Sequence, residues 1–418
     1  MKTTKKTTKK TTKKTTKKTT LKSHNKITTR IIIKDNVGGI VADKDTIKEL
    51  IESQGGYVEV VIYNDIKTKL SSLLFKKVNI QIFIEHIFIE YPLEIFPADK
   101  SYIFVNQEYI QDWDIDRMKD KTNSIIPLCK TNISLNTLHK LGIHTAKYIG
   151  FGNNRKNKYI DTITKLPNLF IHIVGSSPLK GTKTLIETWI QKKINHTLII
   201  TANNKYNGNT NLFNYWKSLK PKVKALPEEV LIKWNEWKKI TNTNNISLPQ
   251  FQTIDSCSLY FCNTVLDYNV IQFLQTIADV HMCPSLIEGW GQYIDEGRRA
   301  KSVVLTLDAP PMNELIYNSS DNTTKSMSGV LVKATKGPTM RHLLPPSWTQ
   351  YFTKNKYYTK FLYTTYKTTP DNLYNGINRI LNMSPEQKRQ LGNNAFKQSQ
   401  KDYTEFKTKF IKIILDKE

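Results

Sequence analysis

The 418-residue chain carries only four cysteines, and Cys129, Cys257, Cys262 and Cys283 form no C-x-x-C pair. Neither a zinc site nor a disulfide framework is expected, and a reducing compartment is. No run of 18 or more apolar residues occurs, so no transmembrane helix is expected. The lysine-rich start has the charge of a signal peptide's first region but no apolar stretch behind it. Ile31-Ile32-Ile33 is broken at once by Lys34 and Asp35. Acid is scarce too: 36 Asp+Glu face 62 Lys+Arg, giving +26 at pH 7. No Ser/His/Asp arrangement, Walker loop or cluster of metal ligands stands out, so no metal is expected.

What is present begins with a tail. After Met1-Lys2 the chain repeats Thr-Thr-Lys-Lys, and its first twenty residues hold nine lysines and no acid. Without an apolar face such a segment cannot offset its ordering entropy, and residues 1–26 are expected to be disordered. The remaining positive charge fits either a polyanion partner or the composition of an AT-rich genome. The length implies two domains, with three as the upper bound.

From Ile27 the pattern alternates. Ile31 to Ile33 reads as a strand, Lys34 to Gly39 as a glycine turn, and Ile40 to Ile51 as a helix stopped by Gly55-Gly56. Val58 to Ile62 is the next strand, which completes a βαβ unit. Ile80 to Ile89, Tyr102 to Val105 and Ile125 to Leu128 are further strands, and Ser134 to Leu141 is a helix. A polar, glycine-bearing stretch from Tyr148 to Lys158 marks a domain boundary. A second series follows: a strand at Phe170 to Val174, a loop at Gly175 to Gly181, a helix at Thr182 to Ile190, and a strand at Leu198 to Ile200. Residues 203–245 hold Trp216, Trp234 and Trp237 and have the look of a helical insertion. Asn269 to Ala278 and Gln292 to Ala300 read as helices, with Asp279 to Cys283 and Val303 to Leu307 as strands. Residues 318–360 are irregular and polar. Helices at Leu373 to Leu381 and Pro385 to Lys397 precede a separate basic helix from Tyr403. The expected division is 1–26 tail, 27–158 first domain, 159–400 second domain and 401–418 terminal helix. Two doubly wound domains facing a cleft place ligands at the carboxyl ends of the strands.

The strongest motif is His281-Met282-Cys283-Pro284-Ser285-Leu286-Ile287-Glu288-Gly289-Trp290-Gly291-Gln292-Tyr293-Ile294-Asp295-Glu296. Glu288 lies in a loop after a strand, and Glu296 about one turn into the next helix. Gly289 and Gly291 let backbone approach a ligand, and the helix-opening N–H groups face an anion. One carboxylate can accept sugar hydroxyls, and the other can hold a ribose through two hydroxyls.

This stretch resembles the E-x7-E signature of the retaining glycosyltransferases of family 4, also called group 1, which have the GT-B fold. Asp308-Ala309-Pro310-Pro311-Met312-Asn313-Glu314-Leu315 and Gly329-Val330-Leu331-Val332 resemble later segments of that family. Val174-Gly175-Ser176-Ser177-Pro178-Leu179-Lys180-Gly181 resembles its donor-side loop, and Gly38-Gly39 falls at its first glycine loop, near the acceptor. The resemblance implies a metal-independent hexosyltransferase with Rossmann-like domains, a UDP- or GDP-linked sugar as substrate and no other cofactor. The acceptor would be a glycan, protein or lipid. It further implies that Lys180, with Gly175 and Ser176 beside it, binds the donor diphosphate. Glu288, Gly289, Trp290 and Gly291 would hold the transferred sugar, and Glu296 the ribose. Lys180 and Glu288 would be the catalytic pair.

Two departures stand out. Ser176-Ser177 replace the arginine that the family commonly places after the glycine at 175. Arg298-Arg299 make the end of the helix after Glu296 unusually basic, and they read as an exposed helix face. Asp114-Ile115-Asp116 has D-x-D spacing but reads as a surface loop. His86 could reach the cleft from the first domain, and Asn106-Gln107-Glu108 and Lys130-Thr131 sit at strand ends that could line an acceptor groove.

Alternatives from other classes are a nucleic-acid-associated basic protein, binding phosphate backbones with steep salt dependence, and a catalytically silent GT-B module. The expected location is cytoplasmic, with basic segments offering peripheral membrane contact and the tail a weak, nonspecific hold on polyanions. Deleting residues 1–20 separates the classes. An enzyme keeps its turnover, whereas a nucleic-acid binder loses its affinity.

Overall fold

The computed structural model describes residues 26–33, 38–62, 76–85, 97–107, 110, 112–120, 124–155, 157, 159–203, 209–254, 257–316, 327–339 and 364–416. The repeat tail, His86, the proposed strand end at 86–89 and most of the irregular stretch at 318–360 lie outside the described residues.

The first half builds a parallel sheet. β1 (Thr28–Ile33), α1 (Gly38–Ser53) and β2 (Tyr57–Ile62) form the expected βαβ unit, and Ile31 pairs with Val60 in parallel register. β3 (Val78–Ile84), β4 (Ala98–Val105), β5 (Ile125–Cys129) and β6 (Lys147–Tyr148) complete it in the order β2-β1-β3-β4-β5-β6. α2 (Asp112–Lys119) and α3 (Asn132–Lys140) are connecting helices. Ile31, Ile32 and Ile33 are fully buried, as a strand covered on both faces requires. Asp114 and Asp116 sit on α2, not in a loop, and Asp114 is buried.

The second half builds a larger sheet from β7 (Leu166–Gly175), β8 (Leu198–Ala202), β9 (Lys222–Lys224), β10 (Phe251–Thr253), β11 (Leu259–Cys262), β12 (Ala278–Cys283), β13 (Val303–Leu307) and β14 (Val330–Val332). Its order is β14-β13-β12-β7-β8-β11-β10-β9, and the β10 pairings are antiparallel. α4 (Thr182–Gln191), α5 (Thr210–Ser218), α6 (Glu228–Thr241), α7 (Tyr268–Ile277) and α8 (Gln292–Arg299) cover it. The tryptophans of 203–245 are core residues: Trp216 stacks on Phe261, and Trp234 meets Phe273 edge-on. That segment is helical, as expected, with β9 between its helices. The hairpin of β15 (Thr335–Thr339) and β16 (Thr364–Lys367) leads to α9 (Pro370–Leu381) and α10 (Pro385–Ile414).

In each sheet the chain reverses direction of winding once, between β1 and β3 and between β7 and β12. Loops at the carboxyl ends of those strand pairs frame a crevice. The two doubly wound sheets match the expected architecture.

The C-terminus differs from expectation. α10 is one helix of 30 residues, opened by a Ser384–Gln387 capping box. The expected break between Lys397 and Tyr403 is absent, and Ser399 and Asp402, which stand there, bond to Asp295 and Arg298 in an ionic seam. Ser399 Oγ donates to Asp295 Oδ1 at 2.8 Å. Arg298 reaches Asp295 Oδ1 and Asp402 Oδ2, each at 2.7 Å, and donates to the Leu315 carbonyl at 2.9 Å. Arg298 is therefore fully buried and Arg299 largely so, which corrects the exposed-face reading of both. Beyond the seam α10 crosses to the first sheet. Tyr102 donates from its hydroxyl to the Ile413 carbonyl at 3.0 Å, and Phe406 and Phe410 pack on Phe104. Gly152, in the segment joining the sheets, permits the crossing, because a Cβ there would stand 2.6 Å from the Tyr403 Cα.

Removing the cation from the seam leaves buried carboxylates undercompensated. Arg298→Ala should cost about 3 kcal/mol in urea denaturation. Arg389→Ala, which breaks an exposed pair with Glu386 on the same helix, should leave the midpoint where it was.

Candidate functional site

Two loops of the second sheet meet at its winding reversal. β7 ends at Gly175, and the loop after it carries Ser176 and Lys180 and ends at Gly181, which opens α4 with φ +70°. The loop after β12 carries Ser285 and Glu288 and ends at Gly291, which opens α8 with φ +105°. They are in direct contact: Leu286 donates its N–H to the Leu179 carbonyl at 2.8 Å, and a Cβ on Gly181 would stand 2.1 Å from the Pro284 carbonyl oxygen. No side chain fits that gap, and L-residues are strained at that φ. His172 fastens the same loops from beneath. Its Nδ1 pairs with the Met282 carbonyl at 2.7 Å and its Nε2 with Thr182 Oγ1 at 2.9 Å.

This packing brings Lys180 and Glu288 together. Nζ lies 2.5 Å from Oε1, with Glu288 buried and the lysine partly open. Ser285 donates its hydroxyl to the same carboxylate oxygen, and Tyr293 OH lies 2.5 Å from Ser285 Oγ. The Lys180 ammonium stands 4.3 Å from the centre of the Tyr293 ring. Glu296, one turn into α8, has both oxygens addressed by amides: Gln275 at 2.8 Å and Gln292 at 3.2 Å. Burial raises its pKa above the ordinary carboxylate value, and Arg299 partly opposes this. Two carboxylates and one ammonium thus line the carboxyl ends of β7 and β12, beside the N–H groups that open α4 and α8.

The first sheet supplies the facing wall. Gln107 donates to the Glu288 carbonyl at 3.0 Å, and its own carbonyl accepts from Ser134 Oγ at 2.7 Å. Gly39 sits against Gln292, where a Cβ would be 3.0 Å from Oε1. One turn further along α1, Asp43 pairs with buried Lys130, which also donates to Asn106 Oδ1 at 2.9 Å. Asn106 in turn donates to Glu85. Burial raises the Asp43 pKa against the pull of Lys130. Glu314 reaches across from the second sheet to the start of α3, accepting from the N–H groups of Asn132 at 2.7 Å and Ile133 at 3.1 Å.

Of the residues named from sequence, the structure gathers Lys180, Glu288 and Glu296, with Gly175, Ser176, Gly289 and Gly291 in the loops that carry them, and it brings Gly39 to the same cleft. Gly38 opens α1. Trp290 packs edge-on against Phe151, 5.0 Å between ring centres, and lines a cavity at the base of the cleft with Lys130, Tyr148 and Glu314. Among the described residues no group of three or more His, Cys, Asp or Glu side chains could hold a metal ion. Sequence reasoning assigned no role to Ser285, Tyr293, Gln275, Gln292 or Asp43. Ser285 and Tyr293 stand inside the quoted motif, and the i, i+3 spacing of Ser285 to Glu288 was their one visible signal. Gln275 and Asp43 come from distant segments and left none.

No protein-family model matches the chain, and no curated protein matches its sequence. Solved structures do match its shape. A glycosyltransferase from Rickettsia africae is 11% identical over 94% of this chain and 99% of its own, with a TM-score of 0.53. HepE of Anabaena, solved with UDP and glucose, is 11% identical over 93% and 100%, TM-score 0.53. Sucrose-phosphate synthase from Thermosynechococcus elongatus is 11% identical over 90% and 95%, TM-score 0.53. The fold is GT-B.

His172 makes the site's foundation sensitive to acid. Burial lowers its pKa from 6.5 to about 4, and that of buried His281 to about 3. Below pH 6.5 the unfolded chain binds protons that the folded chain refuses, so stability is complete above 6.5 and is lost as pH falls toward 4. Each histidine adds a slope of up to about 1.4 kcal/mol per pH unit. Urea denaturation between pH 7 and 5 should show the fall, and His172→Gln should make it shallower, leaving the part that His281 contributes.

Proposed function

We propose that the protein is a retaining glycosyltransferase that moves a hexose-type sugar from a UDP- or GDP-linked donor to an acceptor held on the first-sheet side of the cleft. The observation that carries the reading is the Lys180–Glu288 contact at the winding reversal, with Glu296 one turn along α8. HepE, of the same fold, is solved with UDP and glucose, and that supports a nucleotide sugar as the class of donor.

In this reading Lys180 and the N–H groups opening α4 meet the diphosphate. They stabilise the charge that grows on it as the glycosidic bond breaks, a preformed field that costs no reorganisation. Glu288 turns from Lys180 to hydroxyls of the transferred sugar, with the amides of Gly289 to Gly291 beside it. Glu296, its lone pairs aimed by Gln275 and Gln292, takes the ribose hydroxyls. The acceptor hydroxyl attacks from the face the diphosphate leaves, so the anomeric configuration is retained without a protein nucleophile. The cleft supplies position and electrostatics. Asp43, Lys130, Asn106 and Glu85, beside Gln107 on the first sheet, are the groups placed to receive an acceptor.

Thermal unfolding with UDP, GDP and ADP tests this. A nucleotide at 100 times its dissociation constant should stabilise the protein by about 2.7 kcal/mol. Lys180→Ala should abolish most of that gain, measured against the variant's own lowered unliganded melting temperature, and cut turnover sharply. A wild-type protein indifferent to all three nucleotides would rule out the donor site.

A further inference from the structure

Tyr293 meets one half of the ion pair directly and the other through Ser285. It is the second residue of α8, largely buried, and its ring lies 4.3 Å from Lys180 Nζ. Its hydroxyl lies 2.5 Å from Ser285 Oγ. Because Ser285 spends its one proton on Glu288, its lone pair must accept from Tyr293. The relay therefore has a direction: Tyr293 to Ser285 to Glu288 carboxylate.

We propose that Tyr293 is a positioning residue with two separable roles. Its ring holds the Lys180 ammonium by a cation–π contact, and its hydroxyl, acting through Ser285, aims the Glu288 carboxylate. The inference rests on the reading of Lys180 as the diphosphate cation. Ser176 and Ser177 leave the loop after β7 with Lys180 as its cation, on a flexible four-carbon stem. When a diphosphate engages the ammonium and sugar hydroxyls engage Glu288, the ion pair separates. The ring then keeps the lysine in place, and the serine relay keeps the carboxylate in place. A tyrosine that merely filled the core would affect every ligand alike.

The test measures binding to the full-length protein by calorimetry, using the nucleoside diphosphate that wild type binds best, the matching monophosphate and the matching nucleotide sugar. Tyr293→Leu should weaken the diphosphate roughly tenfold and the monophosphate less than twofold, since the ring acts only through Lys180. Tyr293→Phe should bind the diphosphate like wild type yet lose several-fold in its preference for the nucleotide sugar over the free diphosphate. Equal loss of mono- and diphosphate in Tyr293→Leu, or no loss, overturns the role of the ring. An unchanged nucleotide-sugar preference in Tyr293→Phe overturns the role of the hydroxyl. If Tyr293→Leu does not fold, Tyr293→Trp replaces it: the larger ring must keep diphosphate affinity while losing the sugar preference. Two failures stay distinct. Wild type that binds no nucleoside diphosphate removes the donor reading and this proposal together. Diphosphate binding that Lys180→Ala weakens but Tyr293→Leu does not removes the positioning role alone.

Discussion

The site rests on one close approach of backbone to backbone. Gly181 lies against the Pro284 carbonyl so tightly that a single added carbon would overlap it. Everything above that contact follows from it. It brings the loop after β7 within hydrogen-bond reach of the loop after β12. It also opens α4 in a left-handed turn and sets Lys180 at the mouth of the crevice, opposite Glu288. A lysine and a glutamate from strands that happen to be neighbours would otherwise be a surface pair of little consequence. Held by glycine at the switch point, with a serine and a tyrosine packed beneath, they become a fixed arrangement of charge.

The cleft between the sheets is bridged by polar contacts rather than by apolar ones alone. Gln107 reads the backbone of Glu288, and Glu314 reads the opening of α3. Such contacts are short-ranged and strongly directional, so they specify one closed geometry without the area of a large hydrophobic interface. In the buried cluster of Asp43, Lys130 and Asn106, Asn106 adjoins Gln107 in the chain and Lys130 stands two residues before Asn132.

The fold was legible where one principle dominated. Apolar runs separated by glycine turns predicted the βαβ unit at Thr28–Ile62, and the spacing of Glu288 and Glu296 predicted their placement across a loop and a helix. Legibility failed where long-range pairing overrode local pattern. Ser399 and Asp402 look like a helix break, because nothing local shows that Asp295 and Arg298, a hundred residues earlier, bond to them. Arg298 and Arg299 look like a solvated face for the same reason. The tryptophans of 203–245 gave no role because their partners, Phe261 and Phe273, lie in other elements. Within the site, the carboxylates and the lysine were readable because charge at a glycine-bearing turn is conspicuous. Tyr293 was not, since an aromatic on a helix is ordinarily core.

The long terminal helix belongs to both sheets, and this turns it into a lever. One close anchorage is at Tyr403 over Gly152, and beyond that point its last turns extend ~17 Å toward Tyr102. A rotation of about 10° about that fulcrum would swing the far end by roughly 3 Å at the helical rise per residue. That is more than a hydrogen bond from Tyr102 to the Ile413 carbonyl can follow. Any movement that widens the crevice must either carry the first sheet along with the lever or let that phenol go.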